Sequence, residues 1–170
     1  DAEHAFDAVY AKKLGIDKFD VELFDELISL MIETKVDYTI FFRELSNIPD
    51  DINSFAISFY GSLKNENIKS RWNNWLEIWK SLINVNDEES KKSLSNQMKL
   101  INPKYTLREW HLVWAYQEAQ NENYKPVHEL QEIMTNPYDE QTKEIEEKYY
   151  IKKPSDFFGI AGISHVSCSS

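Results

Sequence analysis

The sequence predicts an all-α fold, an irregular multi-helix bundle of roughly seven to nine helices. Three observations carry this. The 170 residues include only 4 Gly and 5 Pro, fewer turn residues than sheet-rich folds spend. Apolar residues recur at three- and four-residue spacing along most of the chain. Capping residues and prolines stand where those periodic runs begin and end. Hydrophobic residues make up 42% and charged residues 28%, a balance that suits a globular domain with a real core.

Ala2, Ala5, Phe6, Val9 and Tyr10 predict a first helix, closed by Gly15 as a left-handed C-terminal cap. Asp20 caps the next, with Val21, Phe24, Leu27, Ile28, Met31 and Ile32 as its apolar residues and Glu22 and Glu26 near its positive end. Asp37 caps a short helix carrying Tyr38, Phe41, Phe42 and Leu45, which Pro49 ends. Asp50 or Asp51 caps a further short piece with Ile52, Phe55 and Phe59, and Gly61 stops it. The polar run Lys64 to Lys69 reads as a loop. From Ser70, the spacing of Trp72, Trp75, Leu76, Trp79, Leu82 and Ile83 predicts a helix that breaks at Asn84 to Asp87. Glu88 to Ile101 is a more polar helix with Leu94, Met98 and Ile101 inward.

Asn102-Pro103 ends that helix, because the residue before a proline is pushed out of the helical region. Thr106 and Glu109 have the spacing of a capping box. Leu107, Trp110, Val113, Trp114 and Tyr116 then give a broad apolar face. Pro126 suits the first turn of the next helix, whose stripe is Val127, Leu130, Ile133 and Met134. Asn136-Pro137 closes it, and Gln141 to Tyr149 reads as a polar final helix. The chain divides into a helical domain over residues 1–163 and a tail over residues 164–170 that carries Cys168.

A net charge of -10 and a pI of about 4.9 argue against nucleic acid, which needs a basic stripe, and against an anionic membrane surface. The single Cys excludes an internal disulfide framework and a cysteine-based zinc site, though not a bridge to another chain or segment. No apolar run approaches the roughly 20 residues of a membrane span. No basic start followed by an apolar core suggests a signal peptide. The first residue is Asp1 rather than Met, which suggests a piece of something longer or a processed product.

Chemistry is sparse in the motifs. There is no Gly-rich phosphate loop, no nucleophile elbow, and neither the His-Arg-Asp loop nor the Asp-Phe-Gly segment of kinases. The four histidines, His4, His111, His128 and His165, lack ligand spacing. The Trp and Tyr residues of the helices around 70–80 and 110–116 could stack bases, but their helical spacing makes them core aromatics. Asp37, Asp50 and Asp51 are caps before they are acids, and Asp139, Glu140, Glu144, Glu146 and Glu147 read as a solvated face. Cys168 stands three residues from the end. It is a free thiol on a tail unless a cation activates it, and His165 is the nearest such group in sequence.

Three stretches together resemble the selenoprotein O family, whose bacterial branch is called YdiU. The first is Lys13-Leu14-Gly15 with Asp37-Tyr38-Thr39 and Phe42-Arg43-Glu44-Leu45-Ser46. The second is Asn102-Pro103-Lys104-Tyr105-Thr106-Leu107-Arg108, followed by Ala115, Ala119 and Asn136-Pro137-Tyr138. The third is the closing Val166-Ser167-Cys168-Ser169-Ser170. The resemblance covers nearly the whole chain. Glu109-Trp110 and Trp114 depart from the family's pattern.

The resemblance implies a C-terminal helical region of a longer, kinase-like protein that transfers AMP from ATP to hydroxyl groups of protein substrates. It implies ATP and a Mg or Mn ion as cofactors of that parent. The residues that hold them would lie upstream, so none maps to a position here, and this chain alone would bind neither and be inactive. The partners implied are the upstream kinase-like domain and protein substrates, with no nucleic acid and no membrane. Cys168 matches the place where some members carry selenocysteine, and the resemblance implies a bridge to a cysteine of the activation segment, making residues 164–170 a redox tail. The compartment expected is the bacterial cytoplasm, or the mitochondrion for a eukaryotic member. The competing reading is a stand-alone helical interaction module without nucleotide chemistry. A part of a larger protein should expose an apolar face where the remainder belongs, whereas a stand-alone module should not.

Overall fold

A computed structural model describes residues 2–61 and 63–159. Among the described residues the chain is all-α, as the sequence predicts. The helices are α1 Ala2–Leu14, α2 Val21–Thr34, α3 Tyr38–Leu45, α4 Glu66–Leu82, α5 Glu88–Ile101, α6 Glu109–Gln120, α7 Lys125–Thr135 and α8 Lys143–Tyr149. Two 3₁₀ helices, Ile52–Ser58 and Ser155–Phe157, join them. An isolated antiparallel bridge pairs Val36 with Phe59.

The predicted starts and stops hold where a side chain can satisfy an orphan backbone group. Asp20 accepts from the Leu23 amide at 2.9 Å, and Asp37 from the Ile40 amide at 3.0 Å. Asp51 caps the first 3₁₀ helix through the Asn53 amide at 2.7 Å. Gly15 has φ of +67°. A Cβ there would lie 2.6 Å from Met98 Sδ, so glycine also lets α5 press against the end of α1.

Three expectations shift. Residues 64–69 are not all loop: Asn65 caps α4 through the Asn67 amide at 2.9 Å, and helix begins at Glu66. The first turn of α4 is polar because it faces water, which leaves no apolar signal to read. Thr106 and Glu109 do not form a capping box. Extended backbone runs through Arg108, and the Thr106 hydroxyl lies 3.3 Å from that of Thr39 instead. Finally, Ile101 is exposed rather than inward, and Leu107 before α6, Tyr116 and Val127 are exposed too, so the buried stripes of α5, α6 and α7 are narrower than their apolar residues suggest.

The described residues form two cores. The larger packs α1, α2, α4, α5 and the first 3₁₀ helix around Leu14, Leu27, Leu30, Phe55, Trp72, Trp75, Trp79 and Met98. Its tryptophans are structural, as their spacing predicts: Trp75 donates to the Leu23 carbonyl at 2.9 Å and Trp79 to that of Leu14 at 2.7 Å. The smaller joins Ile40, Tyr105, Ala115, Leu130, Ile133, Tyr149 and Tyr150. Helix α3 lies between them. Phe41, Phe42 and Leu45 enter the larger core and Ile40 the smaller, so the eight-residue helix is buried nearly all round.

Candidate functional site

Where α3 meets residues 102–153, the contact is polar and buried. Two arginines organise it. Arg108 forms a two-pronged pair with Asp37: Nη1 donates to Oδ2, and Nη2 to Oδ1 at 3.0 Å. Both side chains are buried, Arg108 at 3% exposure and Asp37 at 0%. Asp37 thus caps α3 and neutralises Arg108 at once. The Tyr60 hydroxyl donates to Asp37 Oδ2 at 3.4 Å and accepts from the Lys153 amide at 2.9 Å. Burial, and then the charge of Asp37, push the Tyr60 hydroxyl up to about 12, so it stays a neutral donor.

Arg43 is the second organiser. Its Nη1 donates to the carbonyls of Lys99 at 3.2 Å and Asn102 at 3.1 Å, which end α5. Its Nη2 donates to the Tyr138 carbonyl at 3.1 Å and to Glu140 Oε1 at 2.6 Å. A cation at a helix C-terminus complements both orphan carbonyls and the helix dipole. Lys104 meets Glu140 Oε2 at 2.6 Å and Glu146 at 3.2 Å. Burial opposes ionisation of Glu140, but the hydrogen bonds and charges of Lys104 and Arg43 outweigh it and hold the carboxyl at about 2. Glu140 is therefore not a merely solvated acid, although its side chain is 60% exposed. Elsewhere in the seam, Pro137 accepts from the Lys104 and Tyr105 amides at 2.9 and 3.0 Å. Asn102 donates to the Lys13 carbonyl at 2.9 Å and to Ser46 Oγ at 3.0 Å. Tyr150 donates to Glu44 at 2.7 Å.

The described histidines, His4, His111 and His128, do not converge. His4 and His128 are exposed, and His111 is buried at the start of α6. His111 Nδ1 accepts from the Arg108 amide at 3.4 Å. Burial first, and the charge of Arg108 second, hold His111 far down at about 3, so its ring is neutral. The unfolded chain protonates this histidine near pH 6.5 while the native chain resists until about 3. Stability therefore falls as pH drops below 6.5, because the unfolded state binds the extra proton. Glu140 adds to the loss below its ordinary 4.5. His111→Gln is expected to flatten the melting temperature between pH 6.5 and 5 relative to wild type. A slope unchanged by the substitution would assign the acid sensitivity elsewhere.

This seam is suited to fastening rather than catalysis. Its buried cations, Arg43, Lys104 and Arg108, are engaged by carboxylates and carbonyls, which leaves them poor phosphate ligands. A cavity of about 130 Å³ beside it, bounded by Lys13, Tyr38, Thr39, Phe42, Asn102, Pro103 and Thr106, is well below the roughly 300 Å³ where ligand pockets begin. Among the described residues, no group of three or more His, Cys, Asp or Glu side chains is arranged to hold a metal ion. No described helix is long and apolar enough to cross a membrane. Cys168 and His165 lie outside the described residues.

Periodicity does not reveal the seam as a site, yet one signal is present: Arg43 sits within Phe41-Phe42-Arg43-Glu44-Leu45, where an apolar helix has no place for an unpaired cation.

Comparison with known proteins points in one direction. The family model for protein adenylyltransferase SelO matches residues 2–135. A protein nucleotidyltransferase YdiU from Flavobacterium johnsoniae is 31% identical over 172 residues, covering 95% of this chain and 32% of the relative. One from Xylella fastidiosa is 31% identical over 155 residues, covering 89% and 29%. One from Vibrio vulnificus is 30% identical over 146 residues, covering 81% and 29%. The chain spans about a third of the length of these curated relatives.

Proposed function

The chain belongs to the protein adenylyltransferase SelO family, and from that membership we propose that it forms the C-terminal helical part of an enzyme that transfers AMP from ATP to hydroxyl side chains of protein substrates. The observation that carries this is the family match across residues 2–135. The division of labour rests on the seam: its cations are spent on internal carboxylates and carbonyls, which supports a scaffold whose nucleotide and Mg or Mn ion are held by the remainder of the protein. The bacterial relatives favour the bacterial branch, and with it a cytoplasmic enzyme. In the full-length protein, label from α-phosphate-labelled ATP should enter a protein substrate, and label from the γ-phosphate should not. Transfer of γ-label instead would make the protein a kinase and overturn the assignment.

The second part of the proposal is regulatory. Cys168 would bridge to a cysteine of the activation segment. Two thiols would lose two protons and two electrons to an acceptor such as oxidised glutathione, forming one S–S bond. Closing so long a loop restrains the unfolded chain by about 3–5 kcal/mol in the chain-entropy model, and reduction frees the segment. Cys168→Ser should abolish a redox-sensitive mobility shift of the full-length protein on non-reducing gels. A shift that survives the substitution would exclude the tail thiol as bridge partner.

A further inference from the structure

From Trp110 to Gln117 the chain reads Trp-His-Leu-Val-Trp-Ala-Tyr-Gln, without one charged residue, in a protein whose composition is 28% charged. Helix α6 buries Trp110, His111 and Ala115. Residues three and four apart share a helix face, so Leu112, Val113, Tyr116 and Gln120 line another stripe. Leu112 is 51% exposed and Tyr116 65%. The helix is therefore apolar on two sides, and one of them meets water. Tyrosine and leucine on a strip whose charge is confined to Glu109, at the first turn of the helix, match the core of a protein interface, where charge is depleted and aromatics are enriched. Other exposed aliphatics differ: Ile32 and Leu100 stand singly beside Glu33 and Lys99.

We propose that the outward face of α6, centred on Leu112 and Tyr116, is the docking surface for the remainder of the adenylyltransferase polypeptide. This rests on the reading of the chain as one part of a longer enzyme, and it names the surface through which the parts meet. Two facts identify the occupant. The relatives extend over about three times the length matched here, so a large body of the same polypeptide is available to cover the strip. A second copy is a poor alternative, because each chain carries a net charge of -10 and pairing them brings two acidic bodies together.

The test replaces Tyr116 in the full-length protein with the photoreactive p-benzoylphenylalanine. After irradiation, crosslinked peptides are mapped in the monomeric fraction by mass spectrometry. The expected product joins α6 to a peptide outside these 170 residues, while the same probe at Ile32 gives no such product. Crosslinks confined to these 170 residues, or found only in a covalent dimer, would overturn the proposal. The readout needs no activity, so a protein that fails to transfer AMP yet crosslinks as expected rejects the enzymatic reading alone. A protein that transfers AMP without this crosslink rejects the docking surface alone.

Discussion

Replacing Arg108 with alanine should lower the unfolding free energy by about 3–5 kcal/mol, read from urea denaturation, because it strands the buried carboxylate of Asp37 without its counter-charge. Asp37 sits at 0% exposure, and its other hydrogen-bond donors are the Ile40 amide and the Tyr60 hydroxyl, neither charged. The reverse substitution, Asp37→Asn, keeps a side-chain oxygen for the α3 cap but leaves the Arg108 guanidinium unneutralised, and a loss of similar size is expected. Removing both charges is a different matter. Arg108→Met combined with Asp37→Asn should cost less than the two single losses added together, because neither charge is then left alone in a dry interior. Strict additivity would mean the two side chains are not coupled as the geometry requires.

Arg43→Ala is expected to have the second large effect, about 3 kcal/mol, with its structural consequence concentrated at residues 136–140. The guanidinium holds three carbonyls from two separate stretches, at Lys99, Asn102 and Tyr138, together with Glu140. No other side chain has a planar fork of donors for that task. Arg43→Lys should therefore recover little of the loss, since one ammonium cannot reach from the end of α5 to the turn after α7. Hydrogen exchange at Asp139 to Gln141 should rise in both variants. Unchanged exchange there would show that the turn is held by the Pro137 carbonyl contacts alone. The part of the effect that passes through Glu140 is modest, because that carboxylate is more than half exposed and screened by solvent.

Much of the fold is legible in the sequence because helices announce themselves locally. Asp20 and Asp37 cap the helices that begin after them, Trp72, Trp75 and Trp79 keep one face inward, and Gly15 takes the left-handed turn. The illegible parts depend on contacts between distant residues. Thr106 looks like a cap by spacing, but the Arg108 pair with Asp37, 71 residues away in sequence, is made from an extended backbone. The start of α4 is hidden because a solvated first turn carries no apolar signal. The broad apolar face of α6 is readable from its residues, but periodicity turns all of it inward, and its exposure at Leu112 and Tyr116 emerges only once the helix is packed.

The wording that carries the family resemblance has a physical role in this structure. Lys13, Asp37, Thr39, Arg43, Glu44, Ser46, Asn102, Lys104, Thr106, Arg108, Pro137 and Tyr138 belong to those stretches, and each contributes to the polar seam between the two cores. The polar residues of the first two stretches therefore meet in this seam, while Leu14, Phe42, Leu45 and Ala115 of the same stretches enter the apolar cores. This also explains why motif reasoning finds no chemistry in the same residues: they bind one another.

In the function proposed, this chain is scaffold for nucleotide chemistry held elsewhere in the protein. Calorimetric titration with ATP and magnesium tests it most directly, run on these 170 residues and on the full-length protein side by side. Saturable heat from the full-length protein and none at micromolar nucleotide from the 170 residues is the predicted result. Micromolar binding to the 170 residues alone would contradict it.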